Sequence, residues 1–283
     1  MAAAQPPAEQ RPGIGAYGLR LANVEDARPL LVAAEPGWPA LRVEHRIGLG
    51  EGGDEWMTER AARLNLQSGG EILIDRDRGE ATYVVPRQLG TEEIVHPLLA
   101  PVAAVTSYWY GRDSFHAGAF ATGGTAWGLI GERGAGKSTL VAQLALEGVG
   151  IVCDDMLIVE GDRAHEAPRS VDLRQEAAER LGVGEAIGLV GARERWRFRI
   201  PEVGRTTRIG GWVFLAWGDS VGAAPVRAPE RFMRLHDNRG TTVPLRDADA
   251  FLALASLPAW ELRRPRTWSA LPDAVDCLLD AVG

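Results

Sequence analysis

The chain has 283 residues, with 46% apolar and 24% charged side chains and a formal net charge of −7. These are the proportions of an ordinary globular protein large enough for one big domain or two modest ones, which excludes an intrinsically disordered or fibrous chain. The acidic balance, with a sequence pI near 5.4, argues against wholesale nucleic-acid binding, and no apolar run approaches the 18 residues a membrane helix needs.

The first residues, Met1 to Gly13, are dominated by Ala, Pro and Gln and have no basic segment followed by an apolar core. They read as a tail rather than a secretory signal, and residues 1–15 are taken as that tail. Residues 16–110 form a small α+β region. Glu71-Ile-Leu-Ile-Asp75 and Ala81-Thr-Tyr-Val-Val85 flank Arg76-Asp-Arg-Gly79 as a hairpin, and Thr91 to Tyr110 reads as a helix with Thr91 at its N-cap. The only cysteines, Cys153 and Cys277, have no metal-type spacing and read as thiols in a reducing compartment, the cytoplasm being the expected location.

Residues 111–283 carry the informative stretch. Gly123-Gly124 between two apolar runs marks a tight hairpin in which Thr122 faces Thr125. That register puts His116 opposite Gly131. A loop, a helix from about Lys137 to Glu147, a stop at Gly148 and a strand Val149 to Cys153 complete a βαβ order. Further strands are expected at Arg195–Ile200, Gly211–Trp217 and Ala259–Leu262. Helices are expected around Pro229–His236, Asp247–Ala255 and Leu271–Leu279, giving an α/β fold with a mixed sheet.

Gly131-Glu-Arg-Gly134-Ala135-Gly136-Lys137-Ser138 fits G-x-x-x-x-G-K-[ST] in full. Glycines let backbone N–H groups turn inward around phosphate oxygens, Lys137 supplies a point charge to the β- and γ-phosphates, and Ser138 offers a hydroxyl to Mg²⁺. The amides from Gly131 to Thr139 and the start of the helix complete an anion site. The pattern alone arises by chance in roughly one chain of this length in a hundred; here it also lies between an expected strand and an expected helix.

Asp154 and Asp155 follow the returning strand. The outgoing helix and the returning strand each span roughly 17 Å, so the pair emerges level with Lys137. One aspartate suffices for Mg²⁺; two fit one carboxylate for the metal and one to accept a hydroxyl proton. His116 is either near the phosphates or a buried strand-end histidine. Arg195-Trp-Arg-Phe-Arg-Ile200 alternates, putting Arg195, Arg197 and Arg199 on one face, either a solvated face or a clamp for phosphate or an acidic segment; Arg169 and Arg174 are further candidates for that role.

His116, the loop at Gly131, Lys137 and Asp154-Asp155, in this spacing, resemble the core of HPr kinase/phosphorylase and its HPr-kinase-like serine kinase relatives. Tyr17-Gly-Leu-Arg-Leu21, Pro168-Arg169 through Leu173-Arg174 and Glu261-Leu-Arg-Arg-Pro265 extend the similarity along the chain. The resemblance implies a P-loop kinase domain akin to phosphoenolpyruvate carboxykinase, using ATP or GTP with Mg²⁺ and often oligomeric. It implies Asp154 as general base, Asp155 and Ser138 at the metal, and His116 lining the phosphate site. The acceptor it implies is a serine on a peptide or small protein, as in lasso-peptide tailoring kinases, with neither nucleic acid nor membrane as partner. The Glu-x-Arg-Gly-x-Gly signature of true HPr kinase does not follow the aspartates, which favours the HPr-kinase-like group. A kinase of a small-metabolite hydroxyl and a nucleotide switch without acceptor are the competing readings.

Overall fold

The computed structural model describes residues 12–191, 193–203 and 206–283; of the tail expected over residues 1–15, residues 1–11 lie outside this set, while Ile14 and Gly15 belong to a strand. The fold is mixed α/β, with three sheets among the described residues. The first sheet takes eight strands from residues 14–85, and its centre is Ala40–Ile47, parallel to both Leu19–Ala22 and Glu80–Val85. The expected hairpin pairs Glu71–Asp75 with Glu80–Val85, Asp75 opposite Glu80.

The single helix expected over Thr91–Tyr110 is instead broken. A turn at Thr91–Glu93, preceded by Gly90 as its cap, leads to an irregular segment Ile94–Leu98 before the helix Leu99–Trp109. His96 is extended there, with φ −147° and ψ 122°. Pro97 is the cause, because its ring disfavours helical backbone in the residue before it and it has no N–H to give. Leu99–Trp109 is buried along almost its whole length, in a core cluster that also takes side chains from the first and second sheets.

The second sheet runs in the order Gly150–Cys153, Ala117–Thr122, Thr125–Ile130, Thr206–Trp217, Arg163–His165, Leu157–Glu160, Asp113–Phe115. Thr206–Trp217 is long enough to pair on its far edge with two strands in succession, Arg163–His165 and then Ala259–Arg264 in parallel. It begins five residues before the expected Gly211. Gly211 is not a strand breaker: a Cβ there would meet the Trp127 ring at 2.3 Å and the Pro258 carbonyl at 2.5 Å, so glycine admits a neighbour's indole. The helices Lys137–Leu146 and Leu271–Val282 cover one face with Leu129, Val213 and Leu262; Trp212, Phe214 and Phe251 belong to the cluster on the other.

A three-stranded sheet, Ser170–Leu173, Arg193–Arg199 and Glu185–Val190, packs against the helix Lys137–Leu146 through Val171 and Leu173. Both cysteines are free thiols. Among the described residues no helix is long and apolar enough to cross a membrane.

Candidate active site

The hairpin forms in the register Gly123-Gly124 dictates, from Thr122 opposite Thr125 to Ala117 opposite Ile130. The strand ends at Ile130, and the helix begins at Lys137. Between them Gly134 and Gly136 have φ of +88° and +80°, left-handed values open to glycine without steric cost. The Arg264 guanidinium donates to the carbonyls of Ala135 at 3.0 Å and Gly136 at 3.5 Å. Lys137 is half-buried and its ammonium donates to the Gly131 carbonyl. Burial pulls its pKa down, against the opposing pull of Asp155 and Asp154. It is the only lysine in the chain.

Ala119 faces Gly128 on one side and Cys153 on the other, so Gly150–Cys153 runs parallel to Thr125–Ile130 with one strand between them. Asp154 and Asp155 therefore leave the sheet where the loop begins. A Cβ on Gly118 would lie 3.2 Å from the Asp154 carbonyl, which fixes that level. Asp154 is buried and Asp155 exposed. The Asp154 carboxylate accepts, at 3.4 Å, from the Asp172 backbone N–H, the Ser138 hydroxyl favours its charged form, and its Oδ1 has no partner among the described residues. Burial, then the charges of Asp155 and Asp172, push its pKa up to about 7.

His116 stands in the bend just before Ala117, one step beyond the Ala117–Ile130 pair and so beside Gly131. It is exposed, which rules out the buried-histidine reading, and its backbone N–H donates to the Asn238 carbonyl at 2.7 Å.

The arginine strand departs from the solvated-face expectation. Arg197 is buried, with its Nε 3.0 Å from Asp172 Oδ1, a second nitrogen 3.1 Å from Oδ2, and further bonds to the carbonyls of Glu92 and His96. Arg195 lies 3.6 Å from Asp172 Oδ2, and burial lowers its pKa against the pull of Asp172, Asp155 and Asp154. Only Arg199 is half-exposed, 3.1 Å from Glu92. The face thus ties the segment Glu92–His96 to the strand that carries Asp172. Arg169 is engaged with the Pro29 carbonyl and Glu202, and Arg174 is exposed ahead of the helix Gln175–Leu181.

Four residues near this cluster escaped sequence reasoning. Asp172 pairs in register with Arg197, and Ser170-Val-Asp-Leu173 gave a signal in a carboxylate set between two core residues. His96 lies 3.8 Å from Asp172, and neither ring nitrogen has a hydrogen-bond partner among the described residues. Arg264 holds the loop. Tyr17, in a turn of the first sheet at φ +59°, is buried with a hydroxyl that has no partner among the described residues; burial first, then Asp155, Cys153 and Asp154, raise its pKa.

An unpartnered buried carboxylate oxygen, a second aspartate and a serine hydroxyl at one loop form an oxygen-rich, negatively charged set that suits a hard cation. Among the described residues no three His, Cys, Asp or Glu side chains cluster as a self-contained metal site. A cation here would need further ligands from outside the chain.

No family model matches the chain, and no curated protein matches it. Among solved structures, it is similar to the HPr(Ser) kinase/phosphatase from Coxiella burnetii, at 14% identity over 60% of this chain and 95% of that one, with a TM-score of 0.30.

Proposed function

We propose that this chain is an HPr-kinase-like nucleotide-dependent kinase that transfers the γ-phosphate of ATP or GTP to a serine hydroxyl of a peptide or small protein. The observation that carries the reading is the convergence of a complete phosphate loop, Gly131 to Ser138, with the aspartates 154 and 155 at one end of the sheet. The loop amides through Thr139 and Lys137 bind the phosphates, and His116 lines their site. Ser138 and Asp155 would hold Mg²⁺, which would supply positive charge against the phosphates.

Asp154 accepts the proton of the incoming hydroxyl as its oxygen bonds to the γ-phosphorus. The bond from that phosphorus to the bridging oxygen breaks, and the nucleoside diphosphate leaves. A buried carboxyl whose second oxygen has no partner among the described residues is placed to take a proton, and burial raises its affinity for one.

ATP with Mg²⁺ is expected to raise the melting temperature, stabilising the protein by about 2.7 kcal/mol at a hundredfold excess over Kd. Lys137→Ala should lose most of that shift in a thermal melt. A shift of equal size in the variant would place the nucleotide elsewhere and remove the basis of the reading.

A further inference from the structure

Beside the loop stands an aromatic group that phosphate chemistry does not use. Thr206–Trp217 runs parallel to Thr125–Ile130 with Phe214 opposite Ile130, so its last three residues continue past the point where the loop begins. Trp217 is the end of that extension. A Cβ on Gly136 would lie 3.5 Å from its ring. Arg264, its partner across the parallel pair, lies 4.4 Å from the indole centroid while its guanidinium donates to the Ala135 carbonyl. The exposed Arg266 approaches the same ring at 5.7 Å. Trp217 is 38% exposed, whereas Trp212 on the same strand is completely buried.

An indole held in place by a buried arginine yet open to solvent is a preorganised stacking surface. It adjoins Gly136 of the loop, so the part of a bound nucleotide within its reach is the base, joined to the phosphates through a sugar. We infer that Trp217, with Arg264 fixing it and Arg266 at its margin, is the nucleobase subsite of this loop. The inference rests on the kinase reading above and adds the part of the nucleotide that reading leaves unassigned. Stacking responds to ring area and not to edge groups, so ATP and GTP should bind with similar affinity and UTP more weakly.

Titration calorimetry of the full chain with Mg²⁺ and ATP, GTP, UTP or inorganic tripolyphosphate tests this. Trp217→Ala should weaken ATP by about 5- to 150-fold, the span of base stacking on an aromatic side chain. The same variant should bind tripolyphosphate as the wild type does, which also shows that its loop is intact. Trp217→Phe should recover most of the ATP affinity. Unchanged ATP binding in Trp217→Ala overturns the subsite, and so does an equal loss for ATP and tripolyphosphate, which would make the ring a support for the loop. A wild type that binds neither ATP nor tripolyphosphate overturns the kinase reading and the subsite together.

Discussion

Asp154→Asn is expected to cut turnover by about 10²- to 10⁴-fold, the usual worth of a positioned general base, and to leave nucleotide affinity nearly unchanged. Asparagine keeps the size of the side chain and can still accept from the Asp172 N–H. It cannot take a proton. Phosphoryl transfer is mostly positioning and charge stabilisation, so the loop and Lys137 should still bind the triphosphate while the hydroxyl remains a poor nucleophile. Asp155→Asn should instead raise the Mg²⁺ concentration needed for half-maximal rate. Single-turnover ADP formation with a serine-bearing peptide acceptor, measured across Mg²⁺ concentrations for both variants, separates the roles. If the Mg²⁺ effect follows Asp154 and the turnover effect follows Asp155, the two assignments are reversed. Near-normal turnover in both variants would contradict the mechanism and favour a nucleotide switch.

The second large effect is on stability. Arg197→Gln should destabilise the fold by about 3–5 kcal/mol, the usual cost of removing one partner from a buried ion pair. The side chains of Arg197 and Asp172 are 2% and 0% exposed, and without the guanidinium Asp172 keeps a buried charge opposed only by Arg195 at 3.6 Å. The carbonyls of Glu92 and His96 lose a donor in the same change. Arg199→Gln, on the same face but half-exposed, should cost no more than about 1 kcal/mol. Urea unfolding of the two variants makes the comparison. Equal, small losses would restore the solvated-face reading of the strand. Replacing Arg197 and Asp172 together by Met and Leu should recover much of the loss, since well-packed apolar groups often match a buried pair.

Local chemistry explains which parts were legible in the sequence. Gly123-Gly124 fixes a two-residue turn, and the turn fixes every pair down to Ala117 and Ile130. The loop glycines, Lys137 and the aspartate pair are likewise short-range signals, and the helix and strand lengths between them suffice to bring both ends together. What failed depends on contacts between distant segments. Alternation identified the face shared by Arg195, Arg197 and Arg199, but not that Asp172, 25 positions before Arg197, would meet it. The break at His96 was signalled by Pro97, yet its approach to Asp172 was not. Trp217 and Arg264 become neighbours only through a parallel pairing of two strands far apart in the chain, and nothing in the residues around either announces the other.

Because Lys137 is the only lysine, its occupancy can be read directly. Acylation of the full chain with an amine-reactive ester, followed by the mass of the peptide carrying residue 137, compares that ammonium with the terminal amine as an internal control. With ATP and Mg²⁺ at a hundredfold excess over Kd, acylation of Lys137 should slow by about a hundredfold, in proportion to the fraction of protein left unbound, while the terminal amine reacts as before. Equal rates at Lys137 with and without ATP would contradict a nucleotide on the Gly131 loop.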